Sequence, residues 1–139
     1  MAGKKERNRP RDPRVSQYGW YVAIIVERFD YYWQKTTNPN RRCEVWENTC
    51  LIKGRTRNEA YRKAMALGRV GDGTECVELN KKRRKGVWRF VGLANLLPVC
   101  DKIEDGCEIL WTTHYCTAKT AQRMVRQKRE LAVFQRRWE

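Results

Sequence analysis

At 139 residues and 16.6 kDa, with 41% hydrophobic residues, the chain has the size and composition of one domain with a genuine core, and no stretch approaches the ~18 apolar residues of a membrane span. The net charge is +14 and is segregated: residues 1–17 carry +4, residues 117–139 carry +5, and the +5 of the intervening stretch is matched by the five cations Lys81 to Lys85 alone. Such an arrangement excludes little by itself but favours an anionic partner, whereas six cysteines without an export signal suggest free, mostly buried thiols rather than a disulfide framework.

Residues 1–17, MAGKKERNRPRDPRVSQ, are charged, hold two prolines and have little apolar surface to repay ordering, so they read as a flexible basic tail. WYVAIIVERF (20–29) has β-branched and aromatic residues on both alternating faces, which predicts a central strand. After the Asn38-Pro39-Asn40 turn, CEVWENTCLIK (43–53) alternates as a strand expected to pair antiparallel with the first. TRNEAYRKAMALG (56–68) begins with Thr56 and Glu59, a capping box, and places apolar residues at 60, 61, 64, 65 and 67; the helix is expected to close at Gly68 as a left-handed cap. GDG (71–73) is a turn, ECVEL and VWRFV are short strands flanking the basic run, and LANLLPV is extended because Pro98 biases Leu97 away from helical angles. EILWTTHY (108–115) reads as a further strand. From Thr117, Ala118, Ala121, Met124, Val125, Leu131 and Ala132 recur at helical intervals among arginines and lysines, which predicts a basic amphipathic helix over 117–139. The expected fold is α+β: a two-layer sandwich with an antiparallel sheet of about five strands, one packed helix and a C-terminal basic helix, the domain proper covering 18–116.

The phrases WYVAIIVERF, ENTCLIKGRTRNEAYRKAMALG and WRFVGLANLLPVCDKIEDGCEI resemble a bacterial family known as domain of unknown function 4288 (DUF4288). The likeness covers roughly residues 20–115. It implies an α+β domain and supplies no activity, cofactor or partner. The basic arm, the KKRRK tip and the basic C-terminal segment depart from the family pattern.

Enzymatic chemistry finds little footing. The single serine, Ser16, falls in the expected tail, which removes serine hydrolysis. His114 and Cys116 share a strand face without an oxyanion device, and cysteine spacings of 7, 26, 24, 7 and 9 contain no C-x-x-C, so neither a thiolate nucleophile nor a metal site is expected. Asp101, Glu104 and Asp105 read as a turn, and no P-loop or dinucleotide glycine pattern is present. The expectation is a cytoplasmic, non-enzymatic domain with no cofactor.

Binding of a polyanion is the better-supported expectation. Lys81, Lys82, Arg83, Arg84 and Lys85 at a hairpin tip, with Arg123, Arg126 and Arg129 on one helix, would contact an RNA or DNA backbone without base specificity. Tyr31, Tyr32 and Trp33, beside Lys35, Arg41 and Arg42, are the candidates for stacking on unpaired bases, while Trp20, Trp46, Trp88, Phe90 and Trp111 are expected in the core. The competing expectation is a protein-interaction module that regulates or neutralises an acidic partner, with Met124, Leu131 and Phe134 as its apolar face.

Overall fold

WYVAIIVERFDY forms β1 (Trp20–Tyr31), the axis of the domain, with a strand hydrogen-bonded along each of its edges. The computed structural model describes residues 14–76 and 85–136. The chain runs β1, β2 (Glu44–Lys53), α1 (Arg57–Val70), β3 (Glu75–Cys76), β4 (Gly86–Pro98) and α2 (Ala118–Arg123), followed by 3-10 turns at Lys128–Glu130 and Ala132–Phe134. The four strands form one antiparallel sheet in the order β2-β1-β4-β3, so the chain is a mixed helix and sheet fold with four strands rather than about five.

β1 is central for the reason its composition suggests: apolar side chains on both faces. Tyr21, Ala23 and Ile25 turn toward α1 and are buried, and Val22, which points the other way, is fully buried too. β2 pairs with β1 from Trp20 opposite Lys53 to Phe29 opposite Glu44, which puts Ile52 and Cys50 on the helix side.

β4 is longer than either sequence segment that composes it. VWRFV and LANLLPV join into one strand because the pairing with β1 slips twice, between Ile24 and Ile25 and between Val26 and Glu27, where Ala94 and Val91 are the extra residues. A regular strand would send Phe90 and Leu93 to opposite faces; the bulges bring Phe90, Leu93 and Leu96 onto the same core.

α1 starts where expected. Thr56 Oγ1 accepts the Glu59 N–H at 3.1 Å, and Glu59 answers by accepting from Arg55 N–H at 3.3 Å, one residue before the usual reciprocal partner. Its buried stripe is Ala60, Ala64 and Gly68, so the helix approaches the sheet on small residues while Tyr61 and Leu67 stay half exposed. Gly68 is not a left-handed cap. The helix passes through it to Val70, and Gly71 caps the end in a right-handed conformation. Glycine is required at 68 because the ring of Phe90 occupies the space a β-carbon would take.

Two further expectations are corrected. EILWTTHY forms no strand; Ile109, Leu110, Trp111 and Tyr115 remain exposed, and alternation without a neighbouring edge to pair with does not make a ladder. Of the helix expected over 117–139, the described residues, which end at 136, hold only the six residues of α2 and the two turns, none of which contains a buried residue. Helices draw most of their stability from a packed face, and the apolar series is interrupted by Arg126-Gln127-Lys128-Arg129-Glu130, so there is nothing to propagate the coil past Arg123.

Of the expected tail, residues 1–13 lie outside the described residues, and the last part is anchored. Ser16 is buried; its hydroxyl donates to the Val99 carbonyl at 2.7 Å and accepts from Trp20 N–H at 3.0 Å, tying the approach to β1 to the end of β4. None of the six cysteines is in a disulfide; Cys100 is buried, Cys116 exposed and the others intermediate. Among the described residues no helix is long and apolar enough to cross a membrane.

Candidate functional site

Antiparallel pairing brings together two sequence features fifty residues apart. β1 ends at Tyr31 opposite Gly86, the first residue of β4, and the next backbone N–H, that of Tyr32, donates to the Lys85 carbonyl at 3.1 Å. Lys85, the last cation of the basic run, is exposed and adjoins the aromatic turn directly. Lys81, Lys82, Arg83 and Arg84 lie outside the described residues.

The three stacking candidates separate by strand parity. Tyr31 and Trp33 lie together, ring centroids 5.4 Å apart and 32° from parallel, and Trp33 is 77% exposed. Tyr32 turns away and hydrogen-bonds through its hydroxyl to Glu75 of β3; that bond raises its pKa above the usual phenol value. Behind Trp33 the rings continue: Tyr31 meets Phe29 edge to face at 5.0 Å, Phe29 meets Trp88 at 5.1 Å, and Trp88 meets Trp46 at 5.4 Å. Five rings thus form one series from the exposed turn to the edge strand β2.

The turn is held by charge. Asp30, buried at the end of β1, receives Arg28 Nε at 2.9 Å and Arg41 Nη2 at 3.2 Å. Arg41 Nη1 donates to the carbonyls of Thr36 and Asn38 at 2.8 and 3.0 Å, and Gln34 Nε2 donates to the Arg42 carbonyl at 2.7 Å. Arg41 is therefore a clasp for the loop and is withdrawn from the surface. Lys35 and Arg42 remain exposed.

The C-terminal arginines do not share a helix face. Arg123 closes α2, Arg126 follows it and donates to the Arg123 carbonyl at 2.9 Å, and Arg129 sits in the first 3-10 turn; all three are exposed. His114 and Cys116 are exposed on the irregular segment that precedes α2. Asp101 accepts the Glu108 N–H at 3.0 Å, and Gly106 has φ +78°, so the acidic stretch is the turn its sequence suggests.

Sequence reasoning missed a second locus. Trp46 and Trp88, expected in the core, stand on β2 and β4 on either side of β1 and meet across it, with Trp46 51% exposed. Trp111 is likewise 38% exposed, and Trp20 is half-buried with Lys53 Nζ 5.4 Å from its ring centroid, so of the five expected core aromatics Phe90 is the one packed into the main cluster. With Glu27, Glu44, Asn48, Gly71 and Thr74, the two indoles line a cleft of about 310 Å³ at the C-terminal end of α1. The signal available in the sequence was the i, i+2 run Glu44, Trp46, Asn48, which places one carboxylate, one indole and one amide on the same strand face.

Comparison with curated proteins and with solved structures gives no match. The model of one family, a domain of unknown function, matches residues 20–111, the span from the start of β1 to Trp111 that contains the whole sheet, α1 and the aromatic series. The chain belongs to that family, DUF4288.

Proposed function

We propose that this domain is a non-catalytic module that binds unpaired RNA or DNA, with the aromatic turn as a stacking surface and the basic run as its electrostatic contact. The observation that carries the reading is the bond from Tyr32 N–H to the carbonyl of Lys85, the last cation of the basic run, one residue from the 77% exposed Trp33. Stacking tolerates any base and is worth about 1–3 kcal/mol per base, while clustered cations gain free energy by releasing counterions from the phosphates. Lys35 and Arg42 extend the cationic margin on the other side of the turn. Arg123, Arg126 and Arg129 offer a second contact.

The test is a titration of the full chain with single-stranded and duplex oligonucleotides across a salt series. Four to six phosphate contacts on a single strand predict log affinity falling with log salt at a slope of about 3 to 4. Replacing Lys82, Arg83 and Arg84 with Ser should weaken binding and flatten that slope while the thermal transition stays in place. Salt-independent binding, or a triple variant that binds like the parent, rejects the proposal.

A second reading has its own observation. Met124, Val125, Leu131, Val133 and Phe134 are all exposed by 44% or more on the segment after β4, an apolar set suited to docking on another protein. Binding of an acidic protein partner that is abolished by removing residues 117–139, with no affinity for oligonucleotides, favours it.

A further inference from the structure

The cleft between Trp46 and Trp88 has a chemistry opposite to that of the basic run, and the polarity of its lining specifies a ligand. Three of its donors are engaged internally: Trp46 Nε1 donates to Glu44 Oε1 at 3.0 Å, Asn48 Nδ2 to Glu27 Oε2 at 3.0 Å, and Thr74 Oγ1 to the Gly71 carbonyl at 2.9 Å. What faces the cleft is acceptor surface. Glu27 Oε1 and Asn48 Oδ1 make no other hydrogen bond among the described residues, and no cation among them pairs with Glu27. The second carboxylate, Glu44, lines the same space.

Two further features carry the same sign. The faces of the two indoles are electron-rich and attract cations. The C-terminal end of the fourteen-residue α1, where the helix dipole leaves partial negative charge, closes on Glu27 at Gly71, whose missing side chain leaves room for the carboxylate: a β-carbon there would lie 2.9 Å from Glu27 Oε1. A volume of about 310 Å³ admits a small aliphatic group and excludes a folded partner.

We propose that this cleft binds a primary alkylammonium group, with Glu27 as its counter-ion, Asn48 Oδ1 as a second acceptor and the Trp46 and Trp88 rings along its methylenes. A primary ammonium brings three donors and no acceptor, which complements the Glu27 and Asn48 oxygens left without a donor among the described residues. The carboxylates of Glu27 and Glu44 repel an anion or a phosphate there, so the site is separate from the proposed nucleic-acid contact and stands whether or not that contact exists.

The test uses the full chain and two probes with the same head group, n-butylammonium and a short lysine-containing peptide, with n-butanol as the uncharged control. Tryptophan emission and the indole N–H resonance of Trp46 report occupancy. Saturable binding of an ammonium probe, absent for butanol, weakened about tenfold or more in Glu27→Gln and unchanged in Lys85→Ser, upholds the proposal. Tighter binding of the peptide assigns the ammonium to a protein side chain and tighter binding of butylammonium to a free amine; both uphold the chemistry. Equal responses to butylammonium and butanol, or a Glu27→Gln chain that binds as the parent does, overturn it. Trp46→Ala, at a half-exposed side chain, gives the same decision should Glu27→Gln fail to fold, because the retained carboxylate without its indole must lose affinity.

Discussion

Nη2 of Arg41 lies 3.2 Å from Oδ1 of Asp30, and that one oxygen also receives Arg28 Nε at 2.9 Å. Burial alone would push the Asp30 carboxyl up, but the hydrogen bonds and positive charges of the two arginines outweigh it and hold the pKa below the ordinary carboxylate value. A group whose pKa is depressed by folding contributes stability that is complete above its unfolded value, near 3.9, and is lost as pH falls through the folded value. Stability should therefore be indifferent to this group from neutrality down to about pH 4 and decline below it. Asp30→Ala, which leaves the withdrawn Arg41 guanidinium without its counter-ion, should cost about 3 kcal/mol at pH 7 in urea unfolding and should remove this component of the acid decline. A variant as stable as the parent would mean that the loop is held by the Thr36 and Asn38 carbonyls alone.

Gly68 against Phe90 sets a second expectation, with two effects of opposite sign. Alanine in place of glycine inside a helix gains up to about 1 kcal/mol of propensity. Here the added methyl collides with the Phe90 ring, and overpacking of this kind costs about 1–3 kcal/mol. The collision should win, so Gly68→Ala destabilises by roughly 1–2 kcal/mol. Pairing it with Phe90→Leu should recover part of the loss, and a double-mutant cycle that comes out additive would show that the two residues do not press on each other.

The proposed stacking surface can be separated from its cations. Trp33→Ala should lower affinity for single-stranded oligonucleotides about tenfold, leave duplex binding nearly unchanged, and leave the salt slope as it was, because stacking releases no counterions. Lys85→Ser combined with Arg42→Ser should do the reverse, reducing the slope by roughly 1.4 if each contacts one phosphate. Fluorescence anisotropy at three salt concentrations distinguishes these patterns. Equal losses on single strands and duplexes for Trp33→Ala would remove the ring from the contact.

The parts of the fold legible in the sequence are those where local pattern and tertiary need coincide. β1 and β2 alternate as strands and pair as their apolar faces demand, and Thr56 with Glu59 marks the start of α1. The C-terminal quarter departs from its local pattern for a single reason: residues 108–115 and 117–136 carry strand and helix periodicity but have neither a sheet edge nor a packed face to repay ordering. At the candidate site, Tyr32 and Trp33 were legible as exposed aromatics, whereas the half-burial of Tyr31, the turning of Tyr32 toward Glu75 and the adjacency to Lys85 depend on the β1 and β4 register, which no local pattern encodes. Trp46 and Trp88 were assigned to the core because a tryptophan within a strand pattern usually packs there; that they flank a cleft follows from α1 ending at Gly71, short of covering them.

The same limitation explains β4, and yields the last prediction. In WRFVGLANLLP the apolar residues Phe90, Leu93 and Leu96 recur every three positions, a spacing that suits a helix and not a regular strand. The sheet accommodates it by leaving Val91 and Ala94 as the extra residues of two bulges opposite β1, so that all three large side chains reach the core while Val91 is 53% exposed. The assignment separates neighbours sharply. Leu93→Ala should cost about 2–4 kcal/mol as a core truncation, and Val91→Ala, two residues away and on the same side of an unbulged strand, should cost under about 0.5 kcal/mol. Deleting Val91, the extra residue of its bulge, should cost less than Leu93→Ala, because Gly92 stays opposite Val26 and Phe90 stays opposite Glu27, which keeps Phe90 on the face of Gly68. Chemical denaturation of the three variants decides the matter: comparable losses for Leu93→Ala and Val91→Ala, or a Val91 deletion more damaging than Leu93→Ala, would mean that Val91 is not the extra residue of a bulge between Val26 and Glu27.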